Sequence, residues 1–201
     1  MTATAGSGAA ESTSPPTLGV RAVLVPVKSF AAAKERLNAA LGDDERRALV
    51  RAMAERVLMA ASPLAVAVVC DDAEVADWAR SKGALVVWEP GRGLNGAVEA
   101  GVLRLGELGV QTVTVAHADL PLAVGIGLLE PFEGVTLVPD RQDNGTNLIR
   151  LPVGCGFRFS YGPGSFGRHL EECARLGLAV SVVRRDELAF DVDWPSDLPV
   201  P

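Results

Sequence analysis

The sequence predicts a single-domain α/β protein: three α/β/α layers around a mostly parallel sheet. Three observations predict it. Strand-like and helix-like segments alternate from the first element onward. The early strand segments are apolar throughout, the pattern of parallel strands buried on both faces. The 201 residues are enough for one well-buried core and short for two.

The elements follow in order. The run AVLVPV after Arg21 reads as a buried strand ended by Pro26. Residues 30–41 and 43–61 have helical composition, the second opened by the acids of GDDERR. Residues 64–70 form a second strand, DDAEVADWARSKG a helix ending at Gly83, and residues 84–88 a third strand. After the loop EPGRGLNG, residues 95–108 read as a helix closed by Gly109, and QTVTVAHA as a fourth strand. A short helix over 124–129 precedes GVTLVPD and NLIRLP, two strands flanking the polar loop RQDNGT. Residues 165–176 are helical, AVSVVR is a strand, and ELAFDVDWPSDL supplies the last strand and turn. In such sheets ligands bind beyond the carboxyl ends of the strands. The loops after Val27, Trp88, Ala116, Asp140 and the last strand are therefore expected to face one site.

Composition narrows the function. A net charge of −6 argues against a protein that coats nucleic acid, which needs a basic excess. Cys70, Cys155 and Cys173 are odd in number, widely spaced and free of C-x-x-C, which predicts neither disulfides nor zinc and favours a reducing cytoplasm. The longest apolar stretch, about 58–70, is broken by Pro63 and too short to span a membrane. Residues 1–18 carry no Lys or Arg and no continuous apolar core, so they read as a disordered leader rather than a signal peptide, with the folded domain over 19–201. Of the 19 basic residues only three are lysines, and two of these, Lys28 and Lys34, lie close together near the start of the fold.

Five constellations carry candidate chemistry. In PVKSFAAAKERL, Lys28, Lys34 and Arg36 follow the first strand, a triphosphate-sized set of cations, or else a solvated helix face. GRGLNGAVEAG opens a helix; its glycines permit close ligand approach and Asn95 could read a base edge, or simply cap the helix. HADLP places Asp119 at a strand end, where a carboxylate holds magnesium or merely braces a turn. In FDVDWPSDL, Asp191 and Asp193 alternate on an expected strand and point to one face, a clamp when paired with Asp119, or an exposed strand end. DNGTN and YGPGSFGRH offer Thr146, Gly162 and Ser165 to a small anion, although a hairpin turn explains Asn144-Gly145 equally well. His169, one turn into that helix, reads as packed or solvated.

The order PVK…AKERL, GLN, ADLP, GT, GPGS, DVDWPSDL resembles the phosphoenolpyruvate/2-phospho-L-lactate guanylyltransferase family of coenzyme F-420 biosynthesis, over roughly residues 21–198. The resemblance implies a Rossmann-like, glycosyltransferase-A-like nucleotide-diphospho-sugar transferase fold. It implies that Lys28, Lys34 and Arg36 meet the GTP phosphates and Leu94 and Asn95 the guanosine, with Pro26, Val27 and Gly93 also in the nucleotide-binding site. It assigns Mg²⁺ to Asp119, Asp191 and Asp193, with Asp193 favoured of the late pair, and gives Asp119, Lys28 and Asp193 the catalytic roles. Thr146, Gly162 and Ser165 fall where the family binds its three-carbon phosphoacid. Trp194 departs from the Thr often found before this Pro in related enzymes. A downstream transferase that receives the product is also implied, and a homodimer is compatible with the family.

The expected reaction joins GMP to phosphoenolpyruvate, because the Ala- and Arg-rich composition suits a high-GC actinobacterial genome, where that version is expected. The alternatives are 2-phospho-L-lactate as acceptor, a molybdopterin- or sugar-nucleotide-type transferase, and a nucleotide-binding module without catalysis. An oxidoreductase is disfavoured because no G-x-G-x-x-G follows the first strand.

Overall fold

The computed structural model describes residues 18–198; apart from Leu18, the leader expected over 1–18 lies outside the described residues. Seven strands, β1 (Arg21–Pro26), β2 (Ala65–Cys70), β3 (Leu85–Trp88), β4 (Thr112–Ala116), β5 (Val135–Pro139), β6 (Thr146–Pro152) and β7 (Val180–Val182), form one sheet in the order β3-β2-β1-β4-β6-β5-β7. Every neighbouring pair is parallel except β4/β6 and β5/β6, so β6 alone is reversed.

Alternate residues of β1 feed opposite sides of the sheet. Val23 and Val25 join an apolar cluster with α1 (Asp43–Ala60) and α2 (Ala73–Ser81). Ala22 and Leu24 join the cluster beneath α3 (Gly93–Glu107) and α4 (Ser165–Leu176). This is the three-layer arrangement that uniformly apolar strands require. The layers are close: a Cβ on Gly101 of α3 would stand 2.7 Å from Leu24 Cδ2.

Strand order sets the position of the site. From β1 the chain moves outward through β2 and β3, then returns to place β4 on the other side of β1. The carboxyl ends of β1 and β4 thus flank the point where the order reverses, the crevice in which open α/β sheets bind ligands.

Two expected elements differ. Residues 30–41 form turns and a 3-10 segment (Glu35–Ala39), not a helix. Phe30 and Leu37 are both fully buried, and Lys34 takes a left-handed conformation (φ 57°, ψ 41°) that ends any regular helix. The last strand is also absent. In its place stand the four-residue α5 (Asp186–Ala189), an extended stretch around Val192 and a 3-10 turn (Pro195–Asp197). The short helix expected over 124–129 contracts to a 3-10 turn, Ile126–Leu128. No helix among the described residues is long and apolar enough to cross a membrane.

Candidate active site

Beyond the ends of β1, β2, β3 and β4 lies a cleft of about 530 Å³, within the range of small-molecule sites. Pro26, Val27, Lys28 and Lys34 form one wall, Gly93 and Leu94 of α3 the opposite one, and His117 to Asp119 the floor toward β4. Lys28 is exposed and faces this space; Val27 is fixed by its N–H to Val69 O at 3.0 Å.

Lys34 does not reach freely into the cleft. Its ammonium lies 2.5 Å from Asp119 Oδ2 and 2.5 Å from Asp193 Oδ1, bridging residues far apart in sequence. The loop that delivers it is fixed on both sides. Phe30 packs edge-on against Trp78 with centroids 5.1 Å apart. The buried Arg46 guanidinium of α1 donates to Ala31 O at 2.7 Å and Ala33 O at 2.6 Å. Left-handed backbone costs an L-residue about 1–2 kcal/mol, and two carboxylates plus this scaffold hold Lys34 there. Arg46 escapes sequence reasoning: it reads as one more charge at the start of a surface helix.

The carboxylates are joined through backbone as well. Val192 N–H donates to Asp119 O at 3.2 Å, and Val192 is buried between Asp191 and Asp193. Asp197 accepts from the N–H groups of Asp193 (3.0 Å) and Trp194 (2.8 Å), and Arg141 pairs with Asp197 at 2.8 Å. This bracing, rather than a strand, brings Asp191 and Asp193 toward Asp119.

The electrostatics reflect three acids sharing one cation. Burial pushes Asp191 up to about 6, assisted by the Asp119 and Asp193 carboxylates. For Asp119 burial also acts upward, but the adjacent Lys34 charge and its hydrogen bond outweigh it and hold the carboxyl below its ordinary value. Burial works against the Lys34 ammonium, yet Asp119 and then Asp193 raise its pKa overall. Asp119 Oδ1 is buried without a hydrogen-bond partner. Among the described residues no three His, Cys, Asp or Glu side chains form a ready-made metal cluster; Lys34 Nζ stands between two of the acids.

The remaining expected site residues are placed differently from one another. Arg36 does not line the cleft: its guanidinium lies 4.7 Å above the Trp194 ring, where it is exposed. Asn95 neither caps α3, whose N-cap is Arg92, nor lines the cleft; its Oδ1 accepts from Tyr161 N–H at 2.7 Å. That bond ties α3 to the loop after β6. Thr146 and Ser165 are 2% and 1% exposed, with Ser165 Oγ 3.3 Å from Thr146 Oγ1. Gly162 is exposed, and its φ of 111° demands glycine.

His169 is packed and fully buried. Ser160 N–H donates to its Nε2 at 3.0 Å, which places the ring proton on Nδ1, 3.0 Å from Thr146 Oγ1. Burial, with Arg168 nearby, pushes its pKa down to about 4, so the ring is neutral near pH 7. Arg168 laces the same loop, donating to Ser160 Oγ (2.7 Å), Ser160 O (2.8 Å) and Pro163 O (2.7 Å). Ser165→Ala removes the hydroxyl that donates to the buried Thr146 Oγ1 and is expected to cost about 1 kcal/mol of stability, read as a lower melting temperature.

A family model described as guanylyl transferase CofC like matches residues 21–200. A phosphoenolpyruvate guanylyltransferase of Rubrobacter xylanophilus is 41% identical over 184 residues, covering 87% of this chain and 90% of that protein. One from Sphaerobacter thermophilus is 38% identical over 184 residues, covering 87% and 89%. Among solved structures, a nucleotidyl transferase from Methanothermobacter superposes with a TM-score of 0.61 at 15% identity, covering 88% of this chain and 93% of that one. A 4-diphosphocytidyl-2C-methyl-D-erythritol synthase superposes with a TM-score of 0.59 at 13% identity, covering 88% and 93%. These structures share the fold.

Proposed function

Since the chain belongs to the CofC-like guanylyl transferase family, and is a nucleotidyltransferase, we propose that it condenses GTP with phosphoenolpyruvate, releasing pyrophosphate. The observation that carries the reading is the meeting of Lys28, Lys34, Asp119 and Asp193 at the carboxyl ends of β1 and β4, beside a nucleotide-sized cleft. The names of the relatives supply the acceptor.

The chemistry needs no nucleophilic side chain. A phosphomonoester loses its second proton near pH 6, so at neutral pH its oxygen is already an anionic nucleophile. That oxygen bonds to the α-phosphorus of GTP, the bond from this phosphorus to the α–β bridging oxygen breaks, and pyrophosphate leaves with the electron pair. Catalysis is then alignment and charge neutralisation. Lys28 faces the cleft as a cation for the phosphates. Gly93 and Leu94 shape the nucleoside wall, and Asn95 fixes the acceptor loop against α3.

Magnesium belongs to the same reading. The unpartnered Oδ1 of Asp119 and the acid-rich surroundings of Asp191 fit a hard divalent cation. Asp119 and Asp193 would hold it, with Asp191 beside them. When bound, such an ion neutralises charge developing on the phosphoryl oxygens.

Pyrophosphate release from GTP is expected with phosphoenolpyruvate at least about tenfold faster than with 2-phospho-L-lactate, a discrimination of the size that pocket shape supplies between a planar and a tetrahedral carbon bearing the same polar groups. Release with phospholactate alone would overturn the choice of acceptor. A preference for a larger acceptor, with indifference to both acids, would favour the molybdopterin- or sugar-nucleotide-type reading. We further propose cytoplasmic residence and transfer of the product to a downstream transferase.

A further inference from the structure

Asn95, the residue placed by its motif to read a base edge, is occupied elsewhere. Its Oδ1 accepts the Tyr161 N–H, and it does not line the cleft. Gly93 and Leu94 supply shape and apolar contact, which guanine and adenine satisfy equally. Telling the two bases apart takes a polar group that faces the cleft.

Among the described residues, the charged side chains lining the cleft are ordered by strand. Asp119 and its partner Lys34 stand beyond β4, Lys28 beyond β1, Asp71 beyond β2 and Glu89 beyond β3. The phosphates belong with Lys28 and the Asp119 end. Two strand spacings, about 10 Å, separate β1 from β3, which is the reach of a nucleoside from its phosphate to its base edge. Carboxylates at that far end repel phosphates but suit the donor groups of a neutral base. Asp71 is exposed, whereas Glu89 is 22% exposed and held in place. Its N–H donates to Cys70 O at 3.0 Å, and its Oε2 lies 2.6 Å from Arg92 Nε, at the N-cap of α3. Gly91 and Gly93, at φ 73° and 63°, turn the chain from β3 into α3. Both line the cleft, and nothing lies within 4 Å of where their Cβ atoms would stand. The wall beside Glu89 is thus bare backbone along which a planar ring can lie.

We propose that Glu89 is the residue that selects guanine, its carboxylate accepting the N1–H and the N2 amino group of the base. The inference rests on the proposed use of GTP. A carboxylate only accepts, with about four lone-pair sites on its two oxygens, so the Arg92 contact on Oε2 leaves capacity for a base. Guanine presents two adjacent donors on that edge. Adenine presents a ring nitrogen that itself only accepts, which a carboxylate repels. Selection therefore combines attraction to one base with rejection of the other. Arg92 is the positioning residue, since it fixes the carboxylate without facing the base edge itself.

Glu89→Gln keeps the side-chain volume and one acceptor oxygen but turns the other into a donor. Calorimetric binding of GTP, ITP and ATP, each with Mg²⁺ and without acceptor, reads the base alone, because ITP differs from GTP only in lacking the N2 amino group. Wild-type protein is expected to bind GTP at least about tenfold more tightly than ITP and at least about 100-fold more tightly than ATP. In Glu89→Gln, GTP binding is expected to weaken at least about tenfold, with the preference over ITP falling at least about threefold and that over ATP at least about tenfold. The KM for phosphoenolpyruvate is expected to move less than about twofold, since a distant hydrogen bond is the only one changed. A residue that merely braces the loop would weaken all three nucleotides alike and leave both preferences at wild-type values, and that result overturns the proposal. Loss of the preferences in Asp71→Asn, with Glu89→Gln unchanged, overturns it too. Preferences that respond as expected in a protein that turns over no phosphoenolpyruvate leave Glu89 standing and overturn the acceptor. Wild-type protein that binds ATP as tightly as GTP overturns both the selector and the use of GTP.

Discussion

Asp119→Asn is expected to lower turnover of GTP and phosphoenolpyruvate at least ~10²-fold, the scale for losing one preorganised electrostatic group. Asn matches Asp in volume and retains one acceptor oxygen for Lys34. The Asp119 carbonyl still receives the Val192 N–H. What is lost is the negative charge at a position where, alone among the described residues, a buried carboxylate oxygen has no partner of its own. The fold is expected to survive, because Lys34 keeps Asp193 and the removed charge had opposed ionisation of Asp191. Two measurements check this: steady-state pyrophosphate release, and a thermal melt within a few degrees of wild type. The Asp191 carboxyl should then titrate below about 6, since one of the charges raising it is gone. Near-native rates in Asp119→Asn would remove the proposed mechanism; lost rates together with a collapsed melting transition would assign Asp119 to the fold instead.

The route from sequence to this site was uneven, for physical reasons. β1 to β3 are legible because parallel strands buried on both faces are apolar at nearly every position, as in AVLVPV, AVAVVC and LVVW, and β4 follows with only Thr interleaved. Residues 30–41 mislead because Ala, Lys, Glu and Leu favour helix locally, whereas the tertiary structure needs Lys34 in a left-handed turn beneath Asp119. The alternation in FDVDW is real, with Val192 inward between its two acids, but the backbone finds no partner strand. The acids were legible as a group, since both motifs end segments expected at the same edge of the sheet. That a lysine would bridge them was not: it depends on a contact spanning 159 residues. Arg46 carries no local signal, because a buried guanidinium is defined only by what surrounds it.

Lys34→Met is expected to have the second large effect, and pH separates its two parts. At pH 8 the variant leaves Asp119, Asp191 and Asp193 without their shared cation. Breaking a fully buried pair costs about 3–5 kcal/mol. The Lys34, Asp119 and Asp193 side chains are 14%, 21% and 46% exposed, so solvent screening reduces the expected loss of stability to about 1–3 kcal/mol. In the wild type Asp119 lies below its ordinary value, so its stabilisation is present above an unfolded pKa of 3.8 and is lost as pH falls through the folded value. Lys34 lies above 10.5, so its contribution is complete at neutral pH and is lost only as pH rises through that raised value. Asp191 has the opposite sign: raised to about 6, it penalises the fold above that pH, and the penalty is relieved as pH falls toward 3.8. Without Lys34, Asp119 loses the charge that outweighs its burial and moves in the direction of Asp191. The folded variant then binds more protons than its unfolded chain over a window reaching upward from 3.8 beyond 6, and its deficit is expected to grow from pH 5 to pH 8. Melts of both proteins at the two pH values in EDTA test this, and a deficit independent of pH would show that Lys34 serves the fold by packing alone. Turnover is expected to fall at least ~10²-fold at either pH, because acidification restores the charge balance of the empty site but not the cation itself.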